Sequence, residues 1–124
     1  MAGWLDDLAD ERNAMEAARG QRALQASQFV SKVSRSIDEI FQEAWRYIHN
    51  LRSNTRPLES EVVLGEQLVA YWNIPGCFSL RITGEYTTGV IFTPDGSDYS
   101  TCWTFTDYSP DKLKSRIKEE VKRI

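Results

Sequence analysis

The chain has 124 residues, 41% hydrophobic and 27% charged, with a formal net charge of −3. That is the size of one domain, with enough material for a core that needs no cross-links. No apolar run reaches the length of a bilayer span. Asp6, Asp7, Asp10 and Glu11 stand where a secretory leader would carry bases and an apolar core, so the expected location is cytoplasmic.

Residues 1–26 are alanine-rich, with Leu5, Leu8, Met15, Ala18 and Leu24 as larger apolar groups. Helix propensity is high except at Gly20. Arg12, Arg19 and Arg22 interrupt any apolar stripe. From Phe29 the pattern strengthens. Val30, Val33, Ile37, Ile40, Ala44, Ile48 and Leu51, with Phe41 and Trp45 beside them, make a wide helical face suited to packing on a sheet. His49, Arg46 and Arg52 suit the last turns, where cations meet the negative helix end, and Asn54 and Pro57 end the element.

A continuous helix from Leu5 to Arg52 would run about 70 Å, roughly twice the ~35 Å diameter of a domain this size. The first half therefore breaks near Gly20, frays, or projects toward another chain. Residues 1–26 are accordingly read as a helical arm, projecting or partly disordered, and residues 27–124 as a single α+β domain. Trp4, Leu5 and Leu8 are costly decorations for a loose tail, which makes them candidate interaction residues.

The segment from Arg56 to Asn73 holds two apolar clusters. Val62, Val63 and Leu64 suit a short strand or a helical turn, and Leu68 to Trp72 suit a strand. The turn Ile74-Pro75-Gly76-Cys77 has the proline and glycine that a type II turn requires. Three strands should follow. Phe78, Leu80 and Ile82 alternate along the first, Tyr86, Thr88, Val90 and Phe92 along the second, and Tyr99, Thr101, Trp103 and Phe105 along the third. A three-residue loop at Thr83-Gly84-Glu85, with Gly84 left-handed, sets Ile82 opposite Tyr86 and Phe78 opposite Val90. An even loop around Asp95-Gly96 sets Phe92 opposite Tyr99 and Val90 opposite Thr101. Odd and even loops together place every large apolar group on one face, and a one-residue slip would split them.

The other face then carries Cys77, Ser79, Arg81 and Thr83, with Thr87, Gly89, Ile91 and Thr93, and Ser100, Cys102, Thr104 and Thr106. It reads as a solvated sheet face, with a flat docking surface as the alternative. Cys77 and Cys102 fall on outer strands about 9–10 Å apart, too far for a disulfide. Free thiols are expected.

The final segment opens on Ser109 as N-cap, Pro110 as first helical residue and Asp111 at the positive end. Leu113, Ile117, Val121 and Ile124 form a narrow stripe that serves either a terminal helix packed on the domain or a seam with a partner. From residue 110 onward there are six bases and three acids, whereas residues 61–109 hold six acids and one base, Arg81. A sheet of that sign does not suit a nucleic-acid backbone.

Nothing in the sequence nominates catalysis. One histidine and two cysteines are too few for a structural zinc site. The loop Asp95-Gly96-Ser97-Asp98 lacks the further oxygens of a calcium site, and no nucleotide or nucleophile-elbow motif occurs. No cofactor is indicated. Trp45, Trp72, Tyr86, Tyr99 and Trp103 could line an aromatic pocket between helix and sheet, and more often such residues are simply core.

The sequence thus predicts an α+β fold: a long N-terminal helix on one face of an antiparallel meander of about four strands, closed by a short C-terminal helix. The helix-then-sheet order resembles cystatin-like shapes in outline. The expected function is protein interaction or assembly, as an adaptor, chaperone or regulatory subunit, with either a protein partner or self-association as a homo-oligomer, the latter as a dimer through the N-terminal helix. Trp4, Leu5, Leu8, Leu113, Ile117 and Val121 are its candidate contacts. A small-molecule site among the aromatics is the first alternative. Nucleic-acid binding through Lys112, Lys114, Arg116, Lys118, Lys122 and Arg123 is the second, weakened by Glu119 and Glu120.

Overall fold

The computed structural model describes residues 4–63, 69–84, 89–97 and 99–124. Its elements run α1 (Trp4–Leu51), β1 (Glu59–Val63), β2 (Val69–Ile74), β3 (Phe78–Thr83), β4 (Val90–Pro94), β5 (Thr101–Trp103) and α2 (Pro110–Val121). The strands form one antiparallel sheet in sequence order, β1-β2-β3-β4-β5. The α+β class and both helices match the sequence reading, and the strand count is five where about four were expected. The additional strand is β1, which settles residues 59–63 as extended rather than helical.

Both helices lie on the same face of the sheet. α1 packs on β2, β3 and α2, burying Ala26, Val30, Ile37, Ile40, Phe41, Ala44 and Ile48. Apart from the adjacent pair Ile40 and Phe41 these recur at spacings of three, four or seven, so they form one stripe along the helix. They meet Trp72 and Ile74 of β2, Phe78, Leu80 and Ile82 of β3, and Val90 and Phe92 of β4. The Phe41 ring stands edge-on to Phe78 at 5.7 Å, and Phe78 lies 5.2 Å from Phe92. Each fully buried phenylalanine contributes about 2–3 kcal/mol by removal from water. α2 adds Leu113 and Ile117. Its first turn is capped as expected: Lys112 N donates to Ser109 Oγ at 3.2 Å, with Pro110 following the cap.

The turn into β3 is of the expected kind. Gly76 has φ +80 and Cys77 N donates to the Ile74 carbonyl at 3.0 Å. The later hairpins depart from the expected registers while keeping their faces. Ile82 pairs with Val90, and Leu80 with Phe92, so Ile82 is not opposite Tyr86 and Phe78 meets Pro94 instead of Val90. The β3–β4 connection is longer than three residues yet still odd, because Thr83 N donates to the Gly89 carbonyl. Glu85 to Thr88, including the expected strand residues Tyr86 and Thr88, lie outside the described residues.

In the next hairpin Phe92 pairs with Thr101 and Val90 with Trp103, two residues beyond the expected partners. The loop is even, as parity required, but wider than the minimal one. Tyr99 is therefore off the ladder and 84% exposed. Phe105 lies beyond β5 rather than within a strand.

Glycine use shows why the β3–β4 turn is not minimal. Among the described residues only Gly76 and Gly96 take positive φ, so Gly84 is not a left-handed turn residue. It is where the hairpin touches the helix: a Cβ there would stand 3.0 Å from the Arg22 carbonyl oxygen and 3.2 Å from Ala26 Cβ. Gly89 likewise makes room, since a Cβ would collide with the Phe105 ring. That ring stacks on Phe29 of α1 at 4.6 Å. Gly89 and Thr83 are thus buried rather than part of a solvated outer face. Cys77 is also partly buried against the core.

α1 is continuous through Gly20. Its 48 residues span ~72 Å at 1.5 Å per residue. Residues 5–22 are exposed throughout, and the first fully buried side chain is Ala26. With Gly84 against Arg22 to Ala26, the packed part of the helix begins about a turn before Ser27.

Candidate interaction surface

The outer half of α1 carries exposed apolar side chains. Leu5 is 56% exposed, Leu8 58% and Met15 69%. Advancing 100° per residue, these three fall on the same helical stripe as Ala26, Ile37 and Ala44. The stripe that builds the core thus continues beyond the body, interrupted by Arg12 and Arg19. Leu24 is exposed on another side of the helix. The backbone of Trp4 opens α1, and its side chain lies outside the described residues.

Charge divides this arm in two. Residues 5–11 hold Asp6, Asp7, Asp10 and Glu11 with no base, and residues 12–22 hold Arg12, Arg19 and Arg22 with one acid, Glu16. The acids lie at the helix start, where the macrodipole favours them.

The C-terminal stripe is divided between core and surface. Leu113 and Ile117 are buried inside the domain, so their area is already used within the chain. Val121 is partly buried and lines a groove of about 470 Å³ between the two helices. Ile40, Ala44 and Tyr47 of α1 form one side, and Lys114, Lys118 and Lys122 the other, with Glu43 at the rim. The three lysines recur every four residues, so they form one row along α2.

The remaining bases of this segment are engaged. Arg116 donates through Nη1 to Glu120 Oε1 at 2.6 Å and through Nε to Thr101 Oγ1 at 3.0 Å, and its guanidinium sits 5.1 Å above the Phe92 ring. The side chains of this pair are only 19% and 9% exposed. Lys112 Nζ donates to the Asp107 carbonyl at 2.7 Å. The i,i+4 spacing of Arg116 and Glu120 signals a pair. That the pair is buried depends on Phe92 lying below it, which the sequence alone does not reveal.

The five pocket aromatics are dispersed. Trp45 stacks on His49 with ring centres 4.8 Å apart, and its indole N–H donates to the Arg56 carbonyl at 2.7 Å. Trp72 is buried and borders a cavity of about 300 Å³ lined by Ser34, Arg35 and Asp38 of α1 and by Ser60 to Val62 of β1. Trp103 borders a different cavity, with Asp111, Arg116 and Glu119. Tyr99 points to solvent, and Tyr86 lies outside the described residues.

Chemically reactive groups are quiet. Cys77 and Cys102 are free thiols. Burial pushes the Cys77 thiol above its ordinary value, with Arg52 pulling against it and Asp95 adding a smaller push. A thiol held protonated is a poor nucleophile. His49 Nδ1 and the Tyr108 hydroxyl are buried without a hydrogen-bond partner. Burial drives Tyr108 up to about 12. Among the described residues no group of three histidine, cysteine or acidic side chains could hold a metal ion, and no helix is long and apolar enough to cross a membrane.

Comparison with known proteins adds no relative: no family model, no curated protein and no solved structure matches the chain.

Proposed function

We propose that this chain is an assembly module that associates with other chains through the projecting half of α1. The observation that carries the reading is the unsupported arm. Five turns of helix, bearing Leu5, Leu8 and Met15 on one stripe, stay exposed, and the first side chain buried against the body is Ala26. Isolated helices of such length are marginal in water, and helices in proteins draw most of their stability from burying an apolar face. A helix that continues its core-facing stripe into solvent suits a partner that completes the burial. Two free thiols fit a reducing compartment, and cytoplasmic residence belongs to this proposal.

Light scattering tests the reading on the full chain and on a version starting at Gln21, which retains Ala23, Ala26 and the contact with Gly84. The expected result is a multimer for the full chain and a folded monomer for the shortened one. Equal monomeric masses over a wide concentration range would contradict self-association.

A further inference from the structure

We infer that the acidic first turns of α1 dock in the groove between α1 and α2 of a second copy of the same chain. The inference rests on the arm reading and specifies where the arm goes.

Three observations converge on this occupant. The first is charge. The groove is rimmed by Lys114, Lys118 and Lys122 on the α2 side against one acid, Glu43, on the α1 side, and residues 5–11 carry four acids and no base. The second is spacing. Asp7 and Glu11 lie one turn apart beside Leu8, matching the four-residue interval of the lysines, so two acid–lysine pairs can form while Leu8 faces Ala44 and Val121. Leu5, one turn back, faces the Ile40 and Tyr47 side. An apolar centre with a charged rim is the usual anatomy of a specific contact.

The third observation is reach. Roughly 54 Å of unbroken helix separates Leu8 from Ala44 at 1.5 Å per residue. A rod cannot bend back to its own groove, so the arm must enter that of another molecule. Each chain then offers one arm and one groove. Two chains with antiparallel α1 helices exchange arms reciprocally and close a dimer, because a twofold axis satisfies both contacts at once.

The alternative surface for a second copy is the free edge of β1, and its charge argues against self-pairing. Glu59 and Glu61 lie on one face of β1 and accept hydrogen bonds from Asn73 and Tyr71 of β2, which fixes both carboxylates on that face. Antiparallel pairing of two such strands would bring four glutamates together. Charged edges of this kind discourage strand addition.

The test is a charge exchange followed by sedimentation and light scattering of full-length protein. Lys118→Glu with Lys122→Glu reverses the exposed rim of the groove and should weaken association at least tenfold, leaving the unfolding transition in place. Asp7→Lys with Glu11→Lys reverses the arm and should do the same. Mixing the two variants should restore a heterodimer in which both arm–groove contacts are complementary, one in the original sense and one with the charges exchanged, and combining all four substitutions in one chain should restore the homodimer. Association should also fall as salt rises through the range where the Debye length shortens below ~10 Å.

If the reversed groove leaves the mass unchanged while removal of residues 1–20 abolishes association, the groove assignment is overturned and the arm reading stands. If the unaltered full chain never associates, both fall. Loss of association in both charge variants without rescue by their combination also overturns the assignment.

Discussion

The two halves of α1 are one helix with two physical environments. From Ala26 to Ile48 its stripe is closed by β2, β3 and α2. From Leu5 to Arg22 the same stripe faces water. The outer half substitutes arginines for branched aliphatics and alanines for aromatics, which preserves helix propensity while reducing apolar area. Such a face remains soluble when alone and can still be covered. The inner half shows the opposite economy, with Phe41 and Ile37 fully enclosed. What differs is the layer opposite: Gly84, just beyond β3, meets the helix at Arg22 to Ala26, where burial begins.

Substitutions along the molecule should read out that difference, beginning with the deepest site. Phe41→Ala removes a ring enclosed by Trp72 and Phe78 and should lower stability by about 3–5 kcal/mol. A denaturant titration at neutral pH measures it. Leu8→Ala should stay within about 0.5 kcal/mol in the same titration under monomeric conditions, as expected for an uncovered side chain. A large loss at Leu8 in a monomer would mean the arm packs on its own body.

Tyr108 provides an intermediate effect at the junction, where its ring meets Phe29 and Trp103. Its hydroxyl is buried without a partner, so Tyr108→Phe should change neutral-pH stability by no more than about 1 kcal/mol and in the favourable direction. The pH dependence is more diagnostic. Burial lifts the phenol from its ordinary value near 10 to about 12. The folded chain therefore holds this proton more tightly than the unfolded one. The resulting stability is fully present below pH 10 and declines as pH rises toward 12. Comparing Tyr108→Phe with the unaltered protein across that interval should remove this part of the alkaline decline. Identical slopes would mean the hydroxyl is solvated.

Much of the fold was legible because periodicity and parity are strong signals. The stripe from Val30 to Ile48, the alternation of Phe78, Leu80 and Ile82, the Pro75-Gly76 turn and the Ser109-Pro110 start each carry a local physical cause. Sheet faces survived even where registers moved, because odd and even loops preserve parity whatever their length. The registers were not legible, since a wider loop and a minimal one satisfy the same alternation. The role of Gly84 was hidden for a related reason. A glycine that admits a neighbouring helix looks identical in sequence to one that turns the chain.

The candidate surface was legible only in part. Leu5 and Leu8 stand out by their cost in an otherwise polar arm. Leu113 and Ile117 share a stripe with Val121, yet the first two are enclosed and Val121 lies at a groove. The row Lys114, Lys118 and Lys122 read as part of a general basic face. Only the pairing of Arg116 with Glu120, and of Lys112 with the Asp107 carbonyl, isolates it. Which wall of α1 faces that row is a tertiary fact that no local pattern encodes.

The most direct test of the central claim is amide hydrogen exchange on the full chain at two concentrations, one well below and one well above association. The account predicts that residues 5–22 and 114–122 gain protection at the higher concentration, while the core strand β3, residues 78–83, already closed by its neighbours and outside the groove, stays unchanged. Protection of residues 5–22 that is the same at both concentrations would contradict it.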